Sequence, residues 1–153
     1  VDAAALRERV HGRFELRGFS IDRFRTGEVR ARFDPLPKAQ RRVITSHDAF
    51  GYFGAAYGIE FLAPQRVSTD SEASASAVAQ LVDQIQHERI RAVFIENITD
   101  PRLVERIARE SGVAIGGQLY SDALSSPGTE ADTYLKFFAH NAMTIAAGLL
   151  GPR

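Results

Sequence analysis

The sequence predicts an α/β fold: a single Rossmann-like lobe, with a parallel sheet of roughly four strands flanked by helices and a long last helix. Three observations carry this. Short apolar runs (Val43–Thr45, Ile59–Leu62, Ala92–Ile95 and the run opening at Val113) alternate with longer stretches of helical periodicity. Strands that alternate with helices lie parallel and are joined by right-handed crossovers. The runs are apolar throughout, as strands buried on both faces require.

The elements follow in order. In residues 1–26, Leu6, Val10 and Phe14 sit at helical spacing, but Gly12, Gly18 and several arginines interrupt, so a short helix with an irregular continuation is expected. Glu28–Phe33 reads as the end of a helix. Asp34-Pro35-Leu36-Pro37 stops it, because proline lacks the N–H and restricts its predecessor. Val43–Thr45 is the first strand of the sheet. Asp48–Tyr57 reads as a helix with Asp48 as its cap and Gly58 as its end. Ile59–Leu62 is the next strand and Val67–Ser71 a polar loop. Ala73–Gln86 is a helix with Val78, Leu81, Val82 and Ile85 on one face. Ala92–Ile95 is a strand. Asp100-Pro101 opens a helix that buries Leu103, Val104 and Ile107 and stops near Gly112. Val113–Ile115 begins the last strand, whose extent past Gly116-Gly117 the pattern leaves open. After a turn over Ser125–Gly128, Thr129 caps a helix from Glu130 to about Leu149, with Leu135, Phe138, Ile145 and Leu149 on its apolar face.

The 153 residues suffice for one domain with a real core, and 44% hydrophobic with 25% charged content is ordinary for a globular chain. Net charge is zero, but residues 1–42 carry 11 Lys and Arg against 6 Asp and Glu, whereas 43–153 carry 8 against 13. The arginines of the first part are not interleaved with stacking aromatics in a nucleic-acid module, so nucleic acid is not expected as a partner. Without cysteine, neither disulfides nor thiolate metal sites arise. No apolar run approaches the roughly 20 residues that span a bilayer. The first residues show no basic-then-apolar export signal, and the start at Val1 suggests a processed or excerpted chain.

Chemistry concentrates at strand ends. Ligands of open α/β sheets bind outside the carboxyl ends of the strands. His47 follows the first strand of the sheet, Glu96 closes Val93-Phe94-Ile95, and Asp122 follows Leu119-Tyr120-Ser121. One rim therefore gathers an imidazole and two carboxylates, a set that can hold a divalent metal or do acid–base work. Each residue also has a plain structural role open to it: His47 as a bond in the turn before a helix, Asp122 as a turn residue or cap. The remaining histidines are less well placed, with His87 at a helix end, His140 within the last helix and His11 in the N-terminal part. No nucleophile elbow, phosphate-binding glycine loop or HExxH motif is present.

Several separated segments resemble one family. They are Thr45-Ser46-His47-Asp48-Ala49-Phe50-Gly51-Tyr52-Phe53 with Ala56-Tyr57-Gly58, the stretch Val67–Ala75, Phe94-Ile95-Glu96, Leu119-Tyr120-Ser121-Asp122-Ala123-Leu124, and the tail from Tyr134 through His140-Asn141 to Leu149. Together they resemble the C-terminal lobe of the zinc/manganese solute-binding proteins of ABC importers, the ZnuA-, TroA- and PsaA-like receptors, from about Glu28 to Gly151. The resemblance implies that His47 and Asp122 are metal ligands and leaves Glu96 outside the ligand set, as a supporting group. It implies zinc, with manganese as the alternative, because histidine at the position of His47 favours zinc and added carboxylate favours manganese. It also implies a periplasmic or otherwise extracytoplasmic location, delivery of the ion to an ABC permease, and no enzyme activity.

The resemblance stops short of a whole receptor. The family's N-terminal lobe, which supplies two further histidines, has no counterpart here. Residues 1–26 are a poorly matched segment and 27–153 the C-terminal lobe, carrying half a metal site. The face left by the missing lobe is expected to favour self-association. The rival readings are a folded, metal-incompetent fragment, a small α/β hydrolase-type enzyme using His47 with Glu96 or Asp122, and a nucleotide-binding module, whose glycine fingerprint is missing. The second lacks a placed nucleophile.

Overall fold

The computed structural model describes residues 15–16, 19–20, 28–63 and 75–151. Strands β1 (Glu15–Leu16) and β2 (Phe19–Ser20) pair antiparallel as a small ribbon. This departs from the irregular continuation expected after a short helix in residues 1–26. The helical spacing at Leu6, Val10 and Phe14 and the polar loop at Val67–Ser71 lie outside the described residues.

The main sheet has four parallel strands: β3 (Arg42–Ile44), β4 (Glu60–Leu62), β5 (Ala92–Glu96) and β6 (Ala114–Leu119), in the order β4-β3-β5-β6. Successive side chains of a strand point to opposite faces. Val43, Ala92 and Phe94 accordingly enter one core with Val29, Phe33, Ile145 and Leu149, while Ile44 and Val93 enter a second with Val78, Ile85, Val104 and Ile107. The first core is covered by α1 (Glu28–Phe33), α2 (Gly51–Tyr57) and α5 (Tyr134–Leu150). The second is covered by α3 (Ala75–Glu88) and α4 (Arg102–Ser111). The result is the helix–sheet–helix sandwich that apolar parallel strands demand.

Two helices start three or four residues later than expected, each for a local reason, and β6 has an extent that the sequence pattern left open. Helix α2 begins at Gly51, not Asp48, and Asp48 is exposed in the preceding turn rather than capping. The residue at the cap position is Phe50, which is buried and stacks on Phe61 at 5.2 Å, so packing sets the helix start in place of a polar side chain. Helix α5 begins at Tyr134, four residues later than Glu130. Thr129 does not cap it, because its hydroxyl is engaged by Ser125 and the Ser126 carbonyl; Thr133 accepts from the N–H of Lys136 instead. Strand β6 runs straight through Gly116-Gly117, with the register against β5 shifting beside Phe94. A side chain at Gly116 would come within 2.5 Å of the Phe94 ring, and one at Gly148 of α5 within 2.6 Å. The missing side chains let the ring lie between β6 and α5.

Other expectations hold. Gly58 ends α2 in the left-handed conformation, and the Asp100 carboxylate accepts the N–H of Arg102 at the start of α4. No helix among the described residues is long and apolar enough to cross a membrane.

Candidate functional site

Three loops leave the carboxyl ends of β3, β5 and β6 on one rim, and hydrogen bonds stitch them together. After β3, Thr45 is fully buried; its N–H donates to the Leu62 carbonyl at 3.1 Å and its hydroxyl to the His47 carbonyl at 3.0 Å. The Ala49 N–H also donates to the His47 carbonyl, at 3.1 Å. This tight turn carries His47 outward before α2 begins. The Thr99 hydroxyl donates to Ser46 Oγ at 3.0 Å, tying the β5 loop to it.

Glu96, at the end of β5, is 1% exposed. A buried carboxylate is costly unless paired. Here both oxygens face His47: Oε1 accepts the main-chain N–H at 3.0 Å, and Oε2 lies 2.7 Å from Nδ1. The second contact is close but off the angle of a full hydrogen bond. A carboxylate only accepts, so the ring nitrogen facing it is the one that carries hydrogen. This tautomer, assigned from the carboxylate that faces the ring, leaves the lone pair of neutral imidazole on Nε2.

Nε2 points to the rim and lies 3.4 Å from Oδ2 of Asp122, whose side chain is 68% exposed. A lone pair and a carboxylate oxygen that share an opening repel each other unless a positive centre lies with them. The pair is therefore suited to a divalent cation, and imidazole with carboxylate is a donor set for zinc or manganese. Among the described residues no group of three or more His, Cys, Asp or Glu is arranged to hold a metal by itself.

Two asparagines, which the sequence reading did not single out as site residues, set the third loop. Asn97 Oδ1 accepts the N–H of Ser121 at 3.2 Å, and its Nδ2 donates to the carbonyl of Ala123 at 3.2 Å. Asn141 of α5 is buried; it accepts the Tyr120 N–H at 2.9 Å and donates to the Tyr120 carbonyl at 2.7 Å. The signal for Asn141 was visible: a polar residue on the stripe that carries Phe138, Ile145 and Leu149. Tyr120 also donates its hydroxyl to Glu130 at 2.8 Å, which holds the Glu130 carboxyl below its usual range together with, and less than, the main-chain N–H of Glu130 itself. The same bond raises the Tyr120 phenol.

The structure brings together His47, Glu96 and Asp122 and leaves the other histidines apart. His140 contacts the Gln118 carbonyl at 2.9 Å, His87 is exposed at the end of α3, and His11 lies outside the described residues. Beside the His47 and Asp122 loops, a cleft of about 270 Å³ opens between α2 and α5, lined by Ala49, Phe53, Tyr57, Ser121 and Phe137 among others.

Comparison with known proteins gives one answer. The family profile of ZnuA, described as zinc-uptake complex component A, periplasmic, matches residues 25–148. The zinc-binding protein TroA of Treponema pallidum is 43% identical over 126 residues, covering 79% of this chain and 41% of its own length. The manganese-binding lipoprotein MntA of Bacillus subtilis is 41% identical over 119 residues, covering 74% and 39%. The structure of the periplasmic zinc-binding protein TroA superimposes with a TM-score of 0.70 over 79% of this chain and 46% of that one, at 41% identity. A manganese-bound periplasmic metal-binding protein from Candidatus Liberibacter asiaticus does so with a TM-score of 0.68, at 26% identity, over 77% of this chain and 44% of that one. The chain spans about 40% of the length of these relatives.

Proposed function

The chain belongs to the ZnuA family, and on that premise we propose that residues 27–153 are the metal-holding C-terminal lobe of an extracytoplasmic solute-binding protein that delivers a divalent cation to an ABC permease. The family is one of transport components, not of enzymes. In this reading the ion is cargo, held and released without any bond being made or broken.

The observation that carries the proposal is the convergence of His47 Nε2 and Asp122 Oδ2, 3.4 Å apart. Both donate to the ion. Glu96 holds Nδ1 and keeps the lone pair on the outer nitrogen. Zinc in a protein site takes three or four protein ligands, so two donors make half a site. The other donors are expected from the N-terminal lobe of a complete receptor. The two relatives bind different metals by name at nearly equal identity, so they do not choose between zinc and manganese. The imidazole donor favours zinc. Residues 1–26 stand outside this lobe. The aromatic cleft beside the donors, where Tyr52 is 95% exposed, supports self-association of the chain through that face.

Titration calorimetry with zinc and with manganese tests the proposal. Weak binding that disappears in both His47→Ala and Asp122→Ala is expected. Binding that survives either substitution at unchanged affinity would place the ion elsewhere.

A further inference from the structure

Glu96, the last residue of β5, and Asn97, the residue after it, each touch the loop of a different donor. Glu96 holds His47 by its main-chain N–H and Nδ1. Asn97 grips the main chain on both sides of Asp122: its carbonyl oxygen takes the N–H of Ser121, and its amide donates to the carbonyl of Ala123. The main-chain N–H of Asn97 donates in turn to the Leu119 carbonyl at 3.0 Å, which fixes the asparagine to the end of β6.

The loop needs such a grip. Asp122 follows the end of β6, its side chain is largely exposed, and among the described residues it has no close polar contact besides His47. A primary amide suits the task, since it offers one acceptor and one donor from a single planar group. An aspartate of the same shape keeps the acceptor but sets a carboxylate oxygen against the Ala123 carbonyl.

We propose that Asn97 is a positioning residue for the ion: by clasping Ser121 and Ala123 it fixes Asp122 at the distance from His47 that lets both donors reach one cation. It makes no contact with the ion itself. Glu96-Asn97 thereby couples the two donors through one strand end. This inference rests on the reading of His47 and Asp122 as metal donors.

The test is the zinc and manganese affinity of Asn97→Ala and Asn97→Asp, measured well below the melting temperature of each variant, beside Asp122→Ala. Loss of a partner that orients a metal ligand weakens binding by about 10- to 100-fold. A weakening of that size in Asn97→Ala is expected. Asn97→Asp decides between positioning and charge, and it keeps the Ser121 bond if the alanine variant fails to fold. A negative charge added near a cation tightens binding by attraction alone, whereas a broken clasp weakens it. Weaker binding in Asn97→Asp supports positioning; binding as tight as wild type or tighter overturns it. If Asp122→Ala itself binds like wild type, the donor assignment fails first, and that outcome is distinct.

Discussion

Glu96 presents both oxygens of one buried carboxylate to His47, one 3.0 Å from the main-chain nitrogen and the other 2.7 Å from Nδ1. The first contact fixes where the turn after β3 sits. The second fixes which face of the ring looks outward and which ring nitrogen is left to donate.

Glu96→Gln is therefore expected to damage metal binding more than its small change in shape suggests. If the amide oxygen accepts the His47 N–H, the amide nitrogen faces Nδ1 and donates to it. The ring proton then moves to Nε2, where it blocks the donor. Zinc affinity should fall by about 10- to 100-fold in calorimetry. Unchanged affinity would mean that the tautomer is not set by Glu96.

Asn141→Ala should cost stability. It strips the partner from the main-chain N–H and carbonyl of Tyr120, both bonded by a side chain that is 3% exposed. A buried main-chain group left without a partner costs about 1–3 kcal/mol. Urea denaturation should show a loss of that order, and a neutral result would mean that water replaces the asparagine.

Gly148→Ala should also destabilise, although alanine is the better helix former by about 1 kcal/mol. The added methyl would sit 2.6 Å from the Phe94 ring and 3.1 Å from the Cα of Gly116. Overpacking of a close-packed core costs about 1–3 kcal/mol. A lower denaturation midpoint is expected; a higher one would show that the ring has room to move.

The Tyr120–Glu130 bond predicts a pH dependence. The carboxyl of Glu130 is held below its ordinary value of 4.5 by its own main-chain N–H first and by the Tyr120 hydroxyl second. A carboxyl depressed in the folded state adds stability that is complete above the unfolded value and lost as pH falls through the folded one. Tyr120→Phe should thus melt lower than wild type at neutral pH, and the gap should close as pH falls below about 4.5. A gap that stays constant down to pH 2 would assign the effect to packing.

Much of the architecture could be read from residue order, because burial on both faces writes a parallel strand as an apolar run. Val43-Ile44 and Ala92-Val93-Phe94 divide their side chains between two cores just as that pattern implies. His47, Glu96 and Asp122 were legible for a related reason: each stands at, or within three residues of, the carboxyl end of β3, β5 or β6, so topology alone puts them on one rim. The helix starts were less legible, since cap chemistry was outweighed by side-chain contacts that helical periodicity does not encode. Phe50 takes a cap position because Phe61 stacks on it, and Thr129 is drawn away by Ser125. The clasp of Asn97 could not be read at all. Its partners lie 24 and 26 residues away, and nothing local marks them.

The central claim is that His47 offers Nε2 to the ion while Nδ1 stays with Glu96. The most direct measurement is a long-range proton–nitrogen NMR spectrum of the histidine rings, recorded as zinc is added, with His47→Gln to assign the signals. The account predicts that the unprotonated nitrogen of His47 is Nε2 before zinc is added, and that this nitrogen shifts on binding while Nδ1 remains protonated. A zinc-dependent shift at Nδ1, or zinc bound with no change at either nitrogen of His47, would contradict it.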